Sequence, residues 1–131
     1  MKIEHAALWT EDLERARAFY EAYFGAAAGA RYENPRHGFA SYFLRFPGGH
    51  ARLELMQRPD LAPRQPLDDG VQALGWAHLA FEVGTPADVD ALTRRLAGDG
   101  FRVLDGPRRT GDGYYESCVL DPDGNRIELT V

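Results

Sequence analysis

Asn125-Arg126-Ile127-Glu128-Leu129-Thr130, NRIELT, alternates apolar and polar side chains, the period-2 pattern of a strand with one face in a core. Ile127 and Leu129 take the core face, so Glu128 between them points the other way. A similar phrase stands earlier as ARLELM, Ala51 to Met56, with Glu54 between Leu53 and Leu55. Two copies of Arg-apolar-Glu-Leu in one short chain indicate a repeat, and the two glutamates suggest a shared task.

Working outward, the two halves align by chemistry. KIEHAALW (Lys2 to Trp9) resembles LGWAHLAFEV (Leu74 to Val83): each reads as a strand with a histidine inside it. Each is followed by an amphipathic helix. In the first, Asp12 is the N-cap, Leu13, Ala16, Phe19, Tyr20 and Tyr23 follow helical spacing, and Gly25 ends the run. In the second, Thr85 is the N-cap, Pro86 takes the first helical position and Asp88 completes a capping box. Val89, Leu92 and Leu96 form its buried stripe, and Gly98 or Gly100 closes it. Three strands are expected to follow in each half: 28–33, 39–46 and 51–56, then 101–108, 114–120 and 126–131. The turns PGGH and DPDGN precede the two glutamate strands and carry the expected Pro, Gly and Asp chemistry.

Each half is thus β-α-β-β-β. The fold class expected is α+β, two tandem βαβββ modules in a single domain over 1–131. Module one covers about 1–57, a Pro-containing linker about 58–73, and module two about 74–131. The His-to-Glu spacing supports the repeat: His5 and Glu54 are 49 positions apart, His78 and Glu128 are 50.

A chain of 131 residues with 44% apolar and 27% charged residues suffices for one soluble domain with its own core. No apolar run approaches the ~18 residues of a membrane span. The opening MKIEHAALWTEDLE carries acids where a signal peptide needs an apolar stretch, so a cytoplasmic protein is expected. The single cysteine, Cys118, excludes an internal disulfide and a multi-cysteine zinc site; beside Val119 and Leu120 it reads as a buried, unreactive thiol. A net charge of −5 argues against a nucleic-acid binder.

Strand parity tells which way the candidate residues point. Leu79, Phe81 and Val83 form one face, leaving Trp76, His78, Ala80 and Glu82 on the other. Leu53 and Leu55 face the core, leaving Arg52, Glu54 and Met56. Ile3, His5, Ala7 and Trp9 share a face of the first strand, where neither side is clearly polar. With the helices on one side of each sheet, His5, Glu54, His78 and Glu128 fall on the other. Neutral imidazoles and ionised carboxylates are ligands for a divalent transition metal, and two glutamates brought together without a cation would repel. One divalent ion held by these four residues is therefore expected. His and Glu suit nickel, cobalt, zinc, iron and manganese alike. Trp9, Trp76, Met56 and Tyr115 are candidate pocket walls, and His37 and His50 read as surface histidines.

These residues resemble the vicinal oxygen chelate superfamily, and within it the glyoxalase I-like proteins of the glyoxalase, bleomycin resistance and dioxygenase group. The resemblance rests on IEHAAL, ERARAFYEAYFG, RLELM, WAHLAFEV and DPDGNRIEL, in that order and spacing, and covers nearly the whole chain. It implies a cupped mixed sheet around one metal, and a homodimer whose cups draw modules from both chains. The set His5, Glu54, His78, Glu128 looks like the glyoxalase I branch (lactoylglutathione lyase-like). Dioxygenase and fosfomycin-resistance branches use two histidines and one glutamate, carbon-acid epimerases have glutamine where Glu54 stands, and bleomycin-binding members lack the ligands. The resemblance thus implies a lyase or isomerase working through an enediolate on a small molecule such as a glutathione hemithioacetal. Glu128 is the first choice of base and Glu54 the second. A carbon-acid epimerase or other vicinal-oxygen enzyme, and a non-catalytic antibiotic-binding protein, are the alternatives. Two departures bear on substrate: Trp9 stands where glyoxalase I has an arginine for glutathione, and Arg58 stands about where it has an asparagine.

Overall fold

A computed structural model describes residues 1–63 and 71–131. The chain forms two compact units, Met1–Arg64 and Gln65–Val131. The expected linker over 58–73 lies in part, at 64–70, outside the described residues.

The first unit runs β1 (His5–Trp9), α1 (Leu13–Phe24), β2 (Ala27–Ala28), β3 (Tyr32–Asn34), β4 (Phe39–Arg45) and β5 (Arg52–Gln57). Its sheet is ordered β1-β5-β4-β2, with β3 also on β4. β1 and β5 are parallel, and the other pairs antiparallel. α1 begins where Asp12 accepts a hydrogen bond from the Arg15 backbone N–H (3.0 Å) and ends at Gly25, whose φ of 62° is left-handed. Its buried stripe, Leu13, Ala16, Phe19 and Tyr20, packs on the sheet face that carries Tyr42, Leu44, Leu53 and Leu55.

The strand expected over 28–33 is two short strands instead. Four steps along the chain from Ala28 to Tyr32 lie opposite only three along β4, from Leu44 to Ser41. The extra residue breaks the ladder as a bulge does.

The second unit runs β6 (Leu79–Glu82), α2 (Pro86–Gly98), β7 (Val103–Arg109), β8 (Tyr115–Leu120) and β9 (Arg126–Thr130), with sheet order β6-β9-β8-β7. β6 and β9 are parallel, and the other two pairs antiparallel. The capping box at Thr85 and Asp88 forms in full, with Pro86 in the first turn. Val89 and Leu96 are buried as expected, but Thr93 and not Leu92 completes the stripe. The Thr93 hydroxyl donates to the Val89 carbonyl (2.7 Å) and meets Ser117 Oγ of β8 (2.6 Å), so a polar side chain is satisfied inside the core. α2 packs against β7, β8 and β9, whose inward residues include Val119, Ile127 and Leu129.

β6 begins at Leu79, five residues later than the expected Leu74. Its only neighbour among the described residues, β9, begins at Arg126, and the first register pair is Leu79 with Ile127. Among the described residues, 74–78 have no ladder to join, and Leu74 and Trp76 are exposed. The start of β9 is set by the DPDGN turn. Buried Asp121 accepts from the backbone N–H groups of Asp123 (3.0 Å) and Asn125 (2.7 Å) and from the Asn125 amide (2.8 Å). Among the described residues no helix is long and apolar enough to cross a membrane.

Candidate metal and active site

Each unit places its glutamate in the same local frame. In the first sheet Glu54 is registered between Ala7 of β1 and Phe43 of β4. In the second, Glu128 is registered between Ala80 of β6 and Cys118 of β8. Alternation turns both glutamates away from the helix-covered face, because Leu53, Leu55, Ile127 and Leu129 on either side of them are buried. The alanine beside each glutamate leaves room above the strand. The histidine two residues before that alanine reaches into this room. His5 Nε2 lies 3.9 Å from Glu54 Oε2, and His78 Nε2 lies 3.2 Å from Glu128 Oε2. The imidazoles are about two-fifths exposed and the carboxylates 15% and 20% exposed, so each pair is set into a surface and not sealed in a core.

The donor chemistry and the spacing suit a metal. Two N or O ligands about 2.1 Å from one ion stand roughly 3.0–3.4 Å apart. The second pair already has that separation and the first lies half an ångström beyond it. Each unit thus offers one imidazole and one carboxylate. Among the described residues no group of three or more His, Cys, Asp or Glu side chains closes on a common point.

Sequence reasoning missed Glu4. Its Oε2 is 2.5 Å from His5 Nδ1, and Arg52 donates to its other oxygen. The hydrogen bond with His5, followed by the Arg52 bond, holds the Glu4 carboxyl below its ordinary value. A carboxylate on Nδ1 fixes the proton there and leaves Nε2 with the lone pair facing Glu54, the arrangement that orients metal-binding histidines. The signal was an acid directly before His5; Ala77 stands before His78. Ala7 and Ala80, which parity places on the faces of the histidines two residues before them, were given no role.

The two arginines beside the glutamates turn elsewhere. Arg52 lies over the Phe43 ring (4.0 Å) as well as reaching Glu4. Arg126 donates to Gln72 and to the Val71 carbonyl (3.2 Å). Among the described residues neither bridges to the glutamate two positions on.

Three expectations need correction. Cys118 is only half-buried and lies on the Glu128 face, because Ser117 and Val119 take the core side; burial pushes its thiol up. Tyr115 is no wall of this site. It shares the helix-facing side with Ser117, and its hydroxyl donates to Asp90 of α2 (2.8 Å). Trp76 is 90% exposed and precedes β6. Trp9 and Met56 do lie on the Glu54 face, as register partners one row along. In the second sheet Glu116 shares the Glu128 face. Burial and then the negative charge of Glu128 push its carboxyl up, opposed by Arg108 at 3.7 Å.

The model of the Glyoxalase/Bleomycin resistance protein/Dioxygenase superfamily matches residues 2–129, and the chain belongs to that family. The chain is 28% identical over 131 residues to a lactoylglutathione lyase of Haemophilus influenzae (98% of this chain, 91% of the relative). It is 30% identical over 112 residues to an ethylmalonyl-CoA/methylmalonyl-CoA epimerase of Cereibacter sphaeroides (79% of this chain, 74% of the relative). The crystal structure of SMU.1112c superposes with a TM-score of 0.80 at 26% identity, covering 100% of this chain and 98% of that one. The βαβββ pairs found here are thus the fold of this family.

Proposed function

We propose that this chain is a metal-dependent enzyme of the glyoxalase I type, with His5, Glu54, His78 and Glu128 as ligands to one divalent ion. The observation that carries the proposal is the matched pair of half-sites: imidazole Nε2 beside glutamate Oε2, on equivalent register positions of both sheets. The ligand set would be completed by bringing one half-site of each kind together, and a homodimer that shares modules between chains meets that need. When bound, the ion supplies Lewis-acid polarisation of two vicinal substrate oxygens.

The chain's own residues then move the proton. Glu128 takes the proton from the carbon next to the carbonyl, the C–H electron pair passes into an enediolate, and the same carboxylate returns the proton to the neighbouring carbon while the hydroxyl proton passes to the former carbonyl oxygen. A glutathione hemithioacetal fits this sequence, with the likeness to a lactoylglutathione lyase in support. Glu54 is the second choice of base. Epimerisation of a carbon acid uses the same proton transfer on one carbon, and the likeness to a CoA-ester epimerase supports it as a second reading. The four-ligand set His5, Glu54, His78 and Glu128, which the sequence resemblance assigns to the glyoxalase I branch, weighs toward the isomerase. Among the described residues Arg52 and Arg126 turn to Glu4 and Gln72 and not to Glu54 and Glu128, which weighs against a metal-free binding protein.

The test is metal analysis of the purified protein, then hemithioacetal isomerisation with nickel, cobalt, zinc, iron and manganese in turn. Turnover with at least one metal, lost on chelation, supports the proposal. Stoichiometric metal with racemisation of a CoA thioester and no isomerisation would move the assignment to the epimerase.

A further inference from the structure

The second unit places a further carboxylate, that of Glu116, on the same sheet face as Glu128, with its side chain 21% exposed. We infer that Glu116 is a specificity-determining residue that accepts a hydrogen bond from an ammonium group of the substrate, which makes the preferred substrate an amine-bearing hydroxycarbonyl compound. This rests on the metal-site reading above for where the reacting carbon lies.

Strand register sets the distance. Cys118 lies opposite Glu128, and Glu116 lies opposite Thr130, two residues along β9 from Glu128. Glu116 and Glu128 are therefore diagonal neighbours on one face, with Cβ atoms about 7 Å apart. Burial acts first on the Glu116 carboxyl, then the charge of Glu128, and the charge of His78 is felt as well, in keeping with that spacing. A substrate whose vicinal oxygens sit at His78 and Glu128 reaches Glu116 through three further carbons. Such a chain spans about 5 Å, and the ion's own bond adds about 2 Å.

The arginine beside Glu116 is committed elsewhere. Arg108 meets one oxygen of Asp105 with both Nε (2.7 Å) and Nη2 (2.6 Å). The same Nη2 stands 3.7 Å from Glu116 Oε1, beyond hydrogen-bond length. Among the described residues no hydrogen bond reaches the Glu116 carboxylate. An ionised carboxylate accepts and never donates, so this one is left for a donor that arrives from solvent. An ammonium donates to it with charge assistance. A substrate carboxylate in the same place is repelled by Glu116 and Glu128 together, and it would have to draw Arg108 away from Asp105. Glu82 of β6 occupies the same row on the other side of Thr130, where it too disfavours an anion.

The experiment uses zinc-loaded protein and three hydroxamates that chelate through the same vicinal oxygens. They differ only at the end of a chain of three methylenes: 4-aminobutanohydroxamate, pentanohydroxamate and glutaric monohydroxamate. Calorimetry at pH 8, where the amine is still protonated, gives the three affinities. The ammonium compound should bind about fivefold tighter than its methyl isostere, and the carboxylate compound more weakly than both. In Glu116→Gln, nearly isosteric at a partly exposed position, the ammonium preference should fall below about twofold. Taking the ratio within each protein cancels any general loss of metal or fold. A parent ratio below about threefold would overturn the inference. So would a preference that survives Glu116→Gln, which would place the recognition on Glu82, or tightest binding by the carboxylate compound, which would place it on Arg108. Zinc uptake is measured first. Protein that takes up no zinc defeats the metal-site reading and the inference with it, whereas zinc-dependent binding with no ammonium preference defeats the inference alone.

Discussion

Glu4 and His5 are joined by a hydrogen bond of 2.5 Å between a carboxylate oxygen and Nδ1, and this bond decides which ring nitrogen faces Glu54. Removing it leaves the imidazole free to rotate and to change tautomer. Glu4→Ala should lower divalent-metal affinity about 10–100-fold. Because Glu4 is 56% exposed, the fold should survive. A chelator competition titration gives the affinity, and unchanged binding would show that His5 needs no orienting carboxylate.

The proton-transfer role is tested by Glu128→Gln. Glutamine is nearly isosteric and can still offer a carbonyl oxygen, but it is no base at neutral pH. Turnover of a hemithioacetal should fall about 10²–10⁴-fold while metal stays bound. His78→Ala removes a ligand outright and should lose metal first. Full activity in Glu128→Gln would pass the base role to Glu54.

Much of this was legible in the sequence because the signals were local. Capping residues at Asp12 and Thr85, the DPDGN turn and the alternation in RLELM and RIELT each act within a few residues. The glutamate faces followed from parity alone. What escaped depended on partners far along the chain. The late start of β6 is dictated by where β9 begins. The bulge after Ala28 comes from a one-residue offset against β4, to which a period-2 pattern is blind. Thr93 is buried because Ser117, 24 positions away, meets its hydroxyl. Tyr115 faces the helix because Asp90 lies beneath it; with Glu116 and Ser117 both polar, parity alone named no core face there.

The capping box gives a pH-dependent prediction. Asp88 is held below its ordinary value by the Thr85 hydroxyl and then by the Thr85 backbone N–H. A carboxyl depressed in the folded state contributes stability that is present above its unfolded value, about 3.9, and is lost as pH falls through the folded value. Thr85→Ala should cost about 1 kcal/mol at pH 7. Its deficit relative to the parent should shrink below about pH 4, where the parent loses the same interaction. Urea unfolding of both proteins at pH 7 and pH 3 measures this, and a deficit that does not change with pH would detach Asp88 from the cap.

Gly106 offers the sharpest backbone test. It sits in β7 where the register against β8 shifts between Asp105 and Arg108. Its φ is +80°, and a Cβ placed there would lie 2.5 Å from the Glu116 carbonyl oxygen and 2.9 Å from the Ser117 Cα. Both neighbours are backbone of the strand that carries Cys118 beside Glu128, so neither can yield by turning a side chain. Gly106→Ala therefore meets two penalties, a left-handed backbone and a steric overlap, and should destabilise the protein by about 2–3 kcal/mol. Gly111 and Gly113 lie in the following turn with nothing within 4 Å of an added Cβ, but Gly113 has a φ of +100° while Gly111 shows no such angle. Gly111→Ala is thus the control, expected within about 0.5 kcal/mol of the parent. If β8 shifts to relieve the overlap, Glu128 loses its register partner's position, and metal affinity should fall along with stability. Thermal unfolding and metal titration of the two variants separate the outcomes. A Gly106→Ala protein as stable as Gly111→Ala would mean that β7 does not approach β8 this closely.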